Sequence, residues 1–211
     1  MMRLFICISF LVALISCGKQ TFPDYSDDSD WQREEQEVGT FGATFTTLNA
    51  HKSGNFKGHA VLWTRGIQFY IRVIMTSAQP RVRHLQAIHT GGRCPQKSDD
   101  KNGDNILDFT EVLAASGPQL IPLDRTLKSQ TQGSDWFPST DGEGTMNYSR
   151  SAAIFHLMED LRGRDPFPGD YLAKLGAGEN MDIGQRTIII YGTSTDAMLP
   201  IACGEIYEEF E

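Results

Sequence analysis

The runs R-T-I-I-I-Y at residues 186–191 and P-I-A-C-G-E-I at residues 200–206 are the two stretches that decide the fold. Their apolar residues are continuous and include several β-branched side chains. Such a pattern is typical of a strand that is buried on both faces. The two runs therefore predict a pair of buried strands near the end of the chain.

Strand patterns extend outward from this pair toward the start of the chain. Apolar and β-branched runs predict strands at residues 40–48, 58–64, 67–75, 82–89, 120–123 and 125–129, and extended structure at 146–155. A hairpin turn is expected at Arg65 and Gly66. Helix is expected only in short pieces, at 109–115 and at either 157–162 or 171–175. The chain is therefore expected to be mainly β.

The N-terminus has the features of an export signal. Arg3 precedes an apolar run at 4–14, which is too short to span a bilayer as a mature helix, and L-I-S-C ends at Cys17. This tetrapeptide resembles the bacterial lipobox, which implies cleavage after residue 16 and acylation of the Cys17 thiol. An ordinary secretory signal that happens to contain a cysteine is the alternative.

The lipobox resemblance implies a location and a membrane partner. Acyl chains on Cys17 would anchor the protein to the bacterial cell envelope, and Gly18 after it, with no aspartate there, favours the outer membrane over the inner one. Residues 17–39 are polar and acidic, and they are interpreted as a flexible tether. The folded domain is then expected at 40–211.

Charge and cysteine content narrow the possibilities further. The formal net charge is -8 and no basic patch is visible, so a nucleic-acid partner is not expected. The chain has four cysteines. The lipobox resemblance implies that Cys7 would leave with the signal and that Cys17 would carry lipid. In an oxidising compartment the remaining two, Cys94 and Cys203, are expected to form a disulfide.

Residues 100–111, D-K-N-G-D-N-I-L-D-F-T-E, resemble an EF-hand calcium loop. The predicted ligands are the backbone carbonyl of Ile106 and side-chain oxygens of Asp100, Asn102, Asp104, Asp108 and Glu111. Asn105 replaces the usual glycine at position six, and Leu107 at position eight is expected to pack inward. The alternative is an acidic surface turn without bound calcium.

The calcium loop is expected to stand alone. Residues 94–98 are too short and proline-broken to form an entering helix, so only an exiting helix is predicted. A loop without a helix to move is expected to hold shape and not to transmit a signal. Bound calcium would neutralise clustered carboxylates and order the segment between Cys94 and Gly117.

Three motifs resemble the copper–zinc superoxide dismutase superfamily and the related chordin-type domains. They are Q-A-I-H-T-G-G-R-C at 86–94, G-P-Q-L-I-P at 117–122, and R-T-I-I-I-Y-G at 186–192 with I-A-C-G-E-I at 201–206. The resemblance implies a Greek-key antiparallel β-sandwich. It also places Cys94 and Cys203 where the family has its disulfide.

The family's metal site is not carried over by this resemblance. Ala87, Gln119 and Tyr191 stand at positions where the family has histidines that bind copper or zinc. Pro200 stands where the family has an arginine that guides superoxide to the metal site. Only His89 remains, and one imidazole cannot replace a set of copper ligands. Dismutase activity is therefore not expected, and neither copper nor zinc is expected as a cofactor.

The sequence favours a non-catalytic function. It contains no G-x-S-x-G or H-E-x-x-H motif, and no catalytic residue is identified. The function predicted is that of an envelope-anchored, calcium-binding lipoprotein that acts as a binding or structural module. The alternative is a copper- or zinc-handling protein or enzyme that uses His89. The residues identify no protein partner.

Overall fold

Two antiparallel five-stranded sheets form the structure. The computed structural model describes residues 37–128, 136–164 and 172–209. The strands are β1 (Glu37–Thr44), β2 (Thr46–Thr47), β3 (Lys57–Arg65), β4 (Gln68–Thr76), β5 (Gln86–His89), β6 (Gln119–Pro122), β7 (Met146–Ala153), β8 (Thr187–Tyr191), β9 (Pro200–Glu205) and β10 (Tyr207–Glu209). The predicted signal peptide at 1–16, the predicted lipidation site Cys17 and residues 18–36 of the predicted tether lie outside the described residues. Residues 37–39, which were expected to belong to the tether, begin β1.

The strand order confirms the predicted antiparallel β-sandwich. The first sheet has the order β10-β1-β3-β4-β7, and the second, here called the covered sheet, has the order β2-β9-β8-β5-β6. The chain crosses between the sheets after β4, returns from β6 to β7, and crosses again to β8. Strand β8 returns to pair with β5, although β6 and β7 lie between them in the chain. This long return connection is the Greek-key feature that was expected.

The described α-helices are short: α1 (Ala50–Ser53), α2 (Phe109–Ser116) and α3 (Ile154–Gly163). Single 3-10 turns lie at Lys97–Asp99 and Ile183–Gln185. Helix α2 confirms the predicted exiting helix, and a 3-10 turn at Lys97–Asp99, instead of an entering helix, precedes the loop at residues 100–111 that was predicted to bind calcium. Among the described residues, no helix has the length and hydropathy that a membrane span requires.

Three local predictions need correction. Helix α3 begins at Ile154, where extended structure was expected, because Leu157 and Leu161 are one helical turn apart and both enter the core. Residues 125–128 form a turn and not a strand, because the Asp124 carboxylate accepts the N–H groups of Thr126 and Leu127. The strand predicted at 82–89 is limited to β5.

The alternation of side chains along β4 builds the main core. Phe69, Ile71, Val73 and Met75 are buried between the sheets, whereas the residues between them lie on the outer face. This pattern follows from the two-residue period of a strand. The predicted hairpin is confirmed, with its turn one residue later than expected, at Gly66 and Ile67, because Arg65 is the last residue of β3 and pairs with Gln68. The hairpin brings β3 alongside β4 in continuous register.

Strand β8 is buried on both faces, as its continuous apolar sequence predicts. Ile188 and Ile190 belong to the main core, and Ile189 and Tyr191 belong to a second one. The second core lies on the outer face of the covered sheet and consists of Leu48, Leu107, Val112, Ile189, Tyr191 and Cys203. The connection between β5 and β6 therefore covers this face.

The predicted disulfide is present. Cys94 and Cys203 are bonded, with their Cα atoms 5.7 Å apart. Cys203 lies in β9, so the bond joins the beginning of the covering connection to the covered sheet. A link between residues 109 positions apart restricts the unfolded chain strongly.

Two isoleucines of β4 provide a matched test of the main core. Ile71 is fully buried between the sheets, and Ile74 is half-buried on the outer face. Replacing Ile71 by alanine is expected to lower the free energy of unfolding by about 2–5 kcal/mol, because a cavity remains. The Ile74→Ala change is expected to cost about 1 kcal/mol or less. Urea unfolding of both variants measures the difference, and equal losses would contradict the assigned faces.

Candidate metal-binding loop

The calcium-like loop, residues 100–111, lies over the outer face of the covered sheet. It follows the 3-10 turn at Lys97–Asp99 and continues directly into α2. Leu107 of the loop and Val112 of α2 pack into the second core, so position eight points inward as predicted. Burial of these two side chains fixes the loop against the sandwich.

The first half of the loop wraps around its own side chains. The Asp100 carboxylate accepts the N–H groups of Gly103 at 2.7 Å and Asn105 at 2.9 Å. Asn102 Oδ1 accepts the N–H of Asp104 at 2.8 Å, and Asp104 Oδ1 accepts the N–H of Ile106 at 2.7 Å. Three side chains that were predicted as ligands therefore set the backbone curvature.

Asn105, at position six, adopts the left-handed conformation that glycine usually supplies, with φ of 62°. Asparagine tolerates this region better than most residues do. The departure from the usual loop pattern at this position therefore does not change the backbone path.

The second half of the loop is held by Asp108 and Glu111. Asp108 caps α2 by accepting the N–H of Glu111 at 2.9 Å, and Glu111 Oε2 accepts the N–H of Asp108 at 3.0 Å, which completes a capping box. Glu111 Oε1 also accepts the N–H of Lys101 at 2.6 Å. These hydrogen bonds, led by the one from Asp108, lower the pKa of Glu111.

All the candidate metal-ligand atoms of the loop are oxygens. Asp100, Asn102, Asp104, Asp108 and Glu111 lie in one loop, and each uses at least one side-chain oxygen to accept a backbone N–H. A carboxylate has about four acceptor positions, so these bonds leave room for a cation. In the part of the chain that the structure describes, no three His, Cys, Asp or Glu side chains already converge as a metal-binding group.

Clefts on both sides leave the loop open to solvent. One, of about 530 Å³, is lined by Ile106, Asp108 and Phe109 together with the turn between β8 and β9. The other, of about 580 Å³, is lined by Asp100 and Asn105 together with the segment after β2. A small ion can reach the loop from either side without unfolding of the sandwich.

Asn49, which lies between β2 and α1, is a contact of the loop that the sequence did not predict. Its side chain hydrogen-bonds both the N–H and the carbonyl of Leu107. The two residues are 58 positions apart, so no local pattern relates them. Only the approach of the loop to the sheet edge brings them together.

Three of the residues compared above with dismutase metal ligands, His89, Gln119 and Tyr191, are neighbours in this structure. His89 pairs with Gln119 across β5 and β6, and the Tyr191 hydroxyl lies 3.0 Å from His89 Nε2. The Gln119 side chain also hydrogen-bonds Tyr191. Ala87 is a buried apolar residue, and Pro200 lies opposite Tyr191 at the start of β9.

The hydrogen bonds of His89 define its protonation. Nδ1 lies 2.7 Å from the carbonyl of Gly117, which can only accept, so Nδ1 carries the proton. Nε2 then accepts from the Tyr191 hydroxyl. Burial lowers the pKa of His89 to about 4, against a smaller opposite effect of the Gly117 carbonyl. The ring is therefore neutral at pH 7, and both its nitrogens are engaged.

His84 does not join His89. Its Nδ1 contacts the backbone carbonyl of Tyr191, whereas His89 contacts the hydroxyl of the same residue. Burial lowers the pKa of His84 as well. Within the described ranges, His51, His59 and His156 form no metal-ligating group with either one.

No protein-family model and no curated protein matches the chain.

The depressed pKa of His89 predicts a pH-dependent stability. The unfolded chain binds a proton at this residue near pH 6.5, and the folded protein does so only near pH 4. The contribution of neutral His89 is therefore fully present above pH 6.5 and is lost as the pH falls toward 4. Relative to His89→Gln, the wild type is expected to lose about 2 kcal/mol of stability between pH 8 and pH 5.

Urea unfolding of both proteins at the two pH values measures this difference. Effects of His84 and of the carboxylates are common to both proteins and cancel in the comparison. An identical pH dependence for wild type and His89→Gln would show that His89 is not held neutral by burial.

Proposed function

We propose that this protein binds calcium through residues 100–111 and acts as a non-catalytic binding or structural module. The observation that carries the proposal is the agreement between the spacing of the oxygen donors and the backbone path around them. The Asp100, Asn102 and Asp104 side chains each face inward to accept loop N–H groups, and Asn105 makes the left-handed turn at position six. A calcium loop needs both features.

The proposed ligands are the side chains of Asp100, Asn102, Asp104, Asp108 and Glu111 and the carbonyl of Ile106. Calcium takes six to eight oxygen ligands and tolerates irregular geometry, so this set suits it better than it suits a softer metal. To serve as a ligand, Glu111 would exchange its hydrogen bonds to the N–H groups of Lys101 and Asn102 for the ion.

Calcium would stabilise the protein through the second core. The loop contains four carboxylates, at Asp100, Asp104, Asp108 and Glu111, and a divalent cation would remove their mutual repulsion. The loop also carries Leu107, and α2 carries Val112, both packed against β8. Ordering of the loop would therefore stabilise the packing of the segment between β5 and β6 on the outer face of the covered sheet.

The calcium proposal predicts a metal-dependent melting temperature. At a calcium concentration about 100 times the dissociation constant, binding adds about 2.7 kcal/mol, and the melting temperature is expected to rise by about 5 °C or more. Asp100→Ala is expected to abolish this rise, because it removes the first ligand. Scanning calorimetry in millimolar calcium and in EDTA measures both.

Asp141→Ala is the matched control for this experiment. Asp141 holds a turn outside the loop by accepting the N–H groups of Glu143 and Thr145, much as Asp100 does in the loop. The control is expected to lower stability and to keep the calcium-dependent rise. A wild-type protein that melts at the same temperature with and without calcium would overturn the proposal.

We also propose that acyl chains on Cys17 hold the protein at the bacterial envelope, with the outer membrane favoured. Support comes from the lipobox-like L-I-S-C and from the disulfide between Cys94 and Cys203, which suits an oxidising compartment.

The lipid anchor is testable with two cysteine variants of the full chain. In a Gram-negative host supplied with labelled palmitate, the wild type is expected to carry the label and to sediment with membranes. Cys17→Ser is expected to lose the label, whereas Cys7→Ser, the matched control within the predicted signal, is expected to keep it. Unlabelled wild-type protein released into the soluble fraction would favour an ordinary secretory signal.

A further inference from the structure

Asn49 makes three hydrogen bonds with a single amide group. Its Oδ1 accepts the N–H of Leu107 at 2.9 Å, and its Nδ2 donates to the carbonyls of Leu107 at 2.8 Å and Pro200 at 2.9 Å. The bonds to Leu107 reproduce the paired donor and acceptor of an antiparallel strand. Asn49 thus links the middle of the calcium loop to the first residue of β9.

The linked residue occupies a critical position in the loop. Leu107 is at position eight, between the Ile106 carbonyl and the Asp108 side chain, which are proposed ligands. Its own side chain is buried in the second core, and its backbone N–H and carbonyl both pair with the Asn49 side chain. Fixing this one peptide unit therefore limits the orientations of the ligands on both sides.

The supporting segment is itself firmly placed. The N–H of Leu48 donates to the carbonyl of Ile201 at 2.7 Å, which holds the chain just before Asn49 against β9. Asn49 has a φ of 51°, a left-handed conformation in which asparagine is favoured over most other residues. Its amide places the acceptor and the donor that Leu107 requires on two separate atoms, Oδ1 and Nδ2. A serine hydroxyl has both functions on one atom of a shorter side chain, and a carboxylate has no donor.

We propose that Asn49 is a positioning residue of the calcium site. It fixes position eight of the loop so that the Ile106 carbonyl and the Asp108 carboxylate are held ready for the ion. The inference rests on the proposed calcium binding by residues 100–111. A side chain from outside the loop, on the edge of the covered sheet, would then set part of the calcium affinity of the loop.

The test compares calcium affinity in wild type, Asn49→Gly and Asn49→Ser, titrated by calorimetry with calcium chloride well below the melting temperature. Glycine removes the amide while keeping the left-handed backbone without strain, and neither change alters the charge. Loss of a partner that orients a metal ligand usually weakens metal binding about tenfold to a hundredfold, and a loss of this size is expected for both variants.

Ser53→Ala is the matched control. The Ser53 hydroxyl lies 3.0 Å from the carbonyl of Leu48 and 3.2 Å from the backbone carbonyl of Asn49. Its removal therefore weakens the backbone of the same corner but takes away no contact of the Asn49 side chain or of the loop. The control is expected to lower the melting temperature in EDTA and to leave the calcium dissociation constant within about twofold of wild type. A general loss of stability at this corner therefore cannot imitate the effect of Asn49.

The outcomes separate the two proposals. A wild type that binds no calcium overturns the proposed function. A wild type that binds calcium, with Asn49→Gly binding equally tightly, overturns only the role of Asn49. If Asn49→Gly shows no cooperative melting, Asn49→Ser decides, and an unchanged dissociation constant in that variant overturns the inference.

Discussion

The burial of β8 on both faces is the constraint on which the rest of the structure depends. Its inner side chains, Ile188 and Ile190, are covered by the first sheet. Its outer side chains, Ile189 and Tyr191, need a second cover, and two apolar side chains of this size would cost several kcal/mol if left in water. The connection between β5 and β6 provides that cover through Leu107 and Val112.

The segment between β5 and β6 is largely irregular, so separate side-chain contacts along its length attach it to the sheet. The disulfide from Cys94 to Cys203 fixes its beginning, and Asn49 fixes its middle at Leu107. Near its end, His89 donates to the carbonyl of Gly117, just after α2. All three contacts are made to the covered sheet or its edge, so the loop with the proposed calcium ligands rests on a rigid base.

A neutral hydrogen-bonded group lies across the neighbouring strands β8, β5 and β6. His89, Gln119 and Tyr191 are linked through the Tyr191 hydroxyl, and burial lowers the pKa of His89 to about 4 and raises that of Tyr191. Tyr191 also packs against Phe109, with ring centroids 5.6 Å apart. The group therefore connects the sheet to the residue that begins α2, directly after the capping Asp108.

Features that depend on local periodicity or on the number of cysteines follow from the amino-acid sequence. The alternation in β4, the two-sided burial of β8, helix α2 after the loop and the pairing of Cys94 with Cys203 could all be predicted from it. Tertiary structure alone decided that Asn49 meets Leu107, that α3 starts at Ile154, and that His89 bonds to Tyr191. These contacts join residues far apart in the chain or depend on which face the core offers, and neither property is encoded in a local pattern.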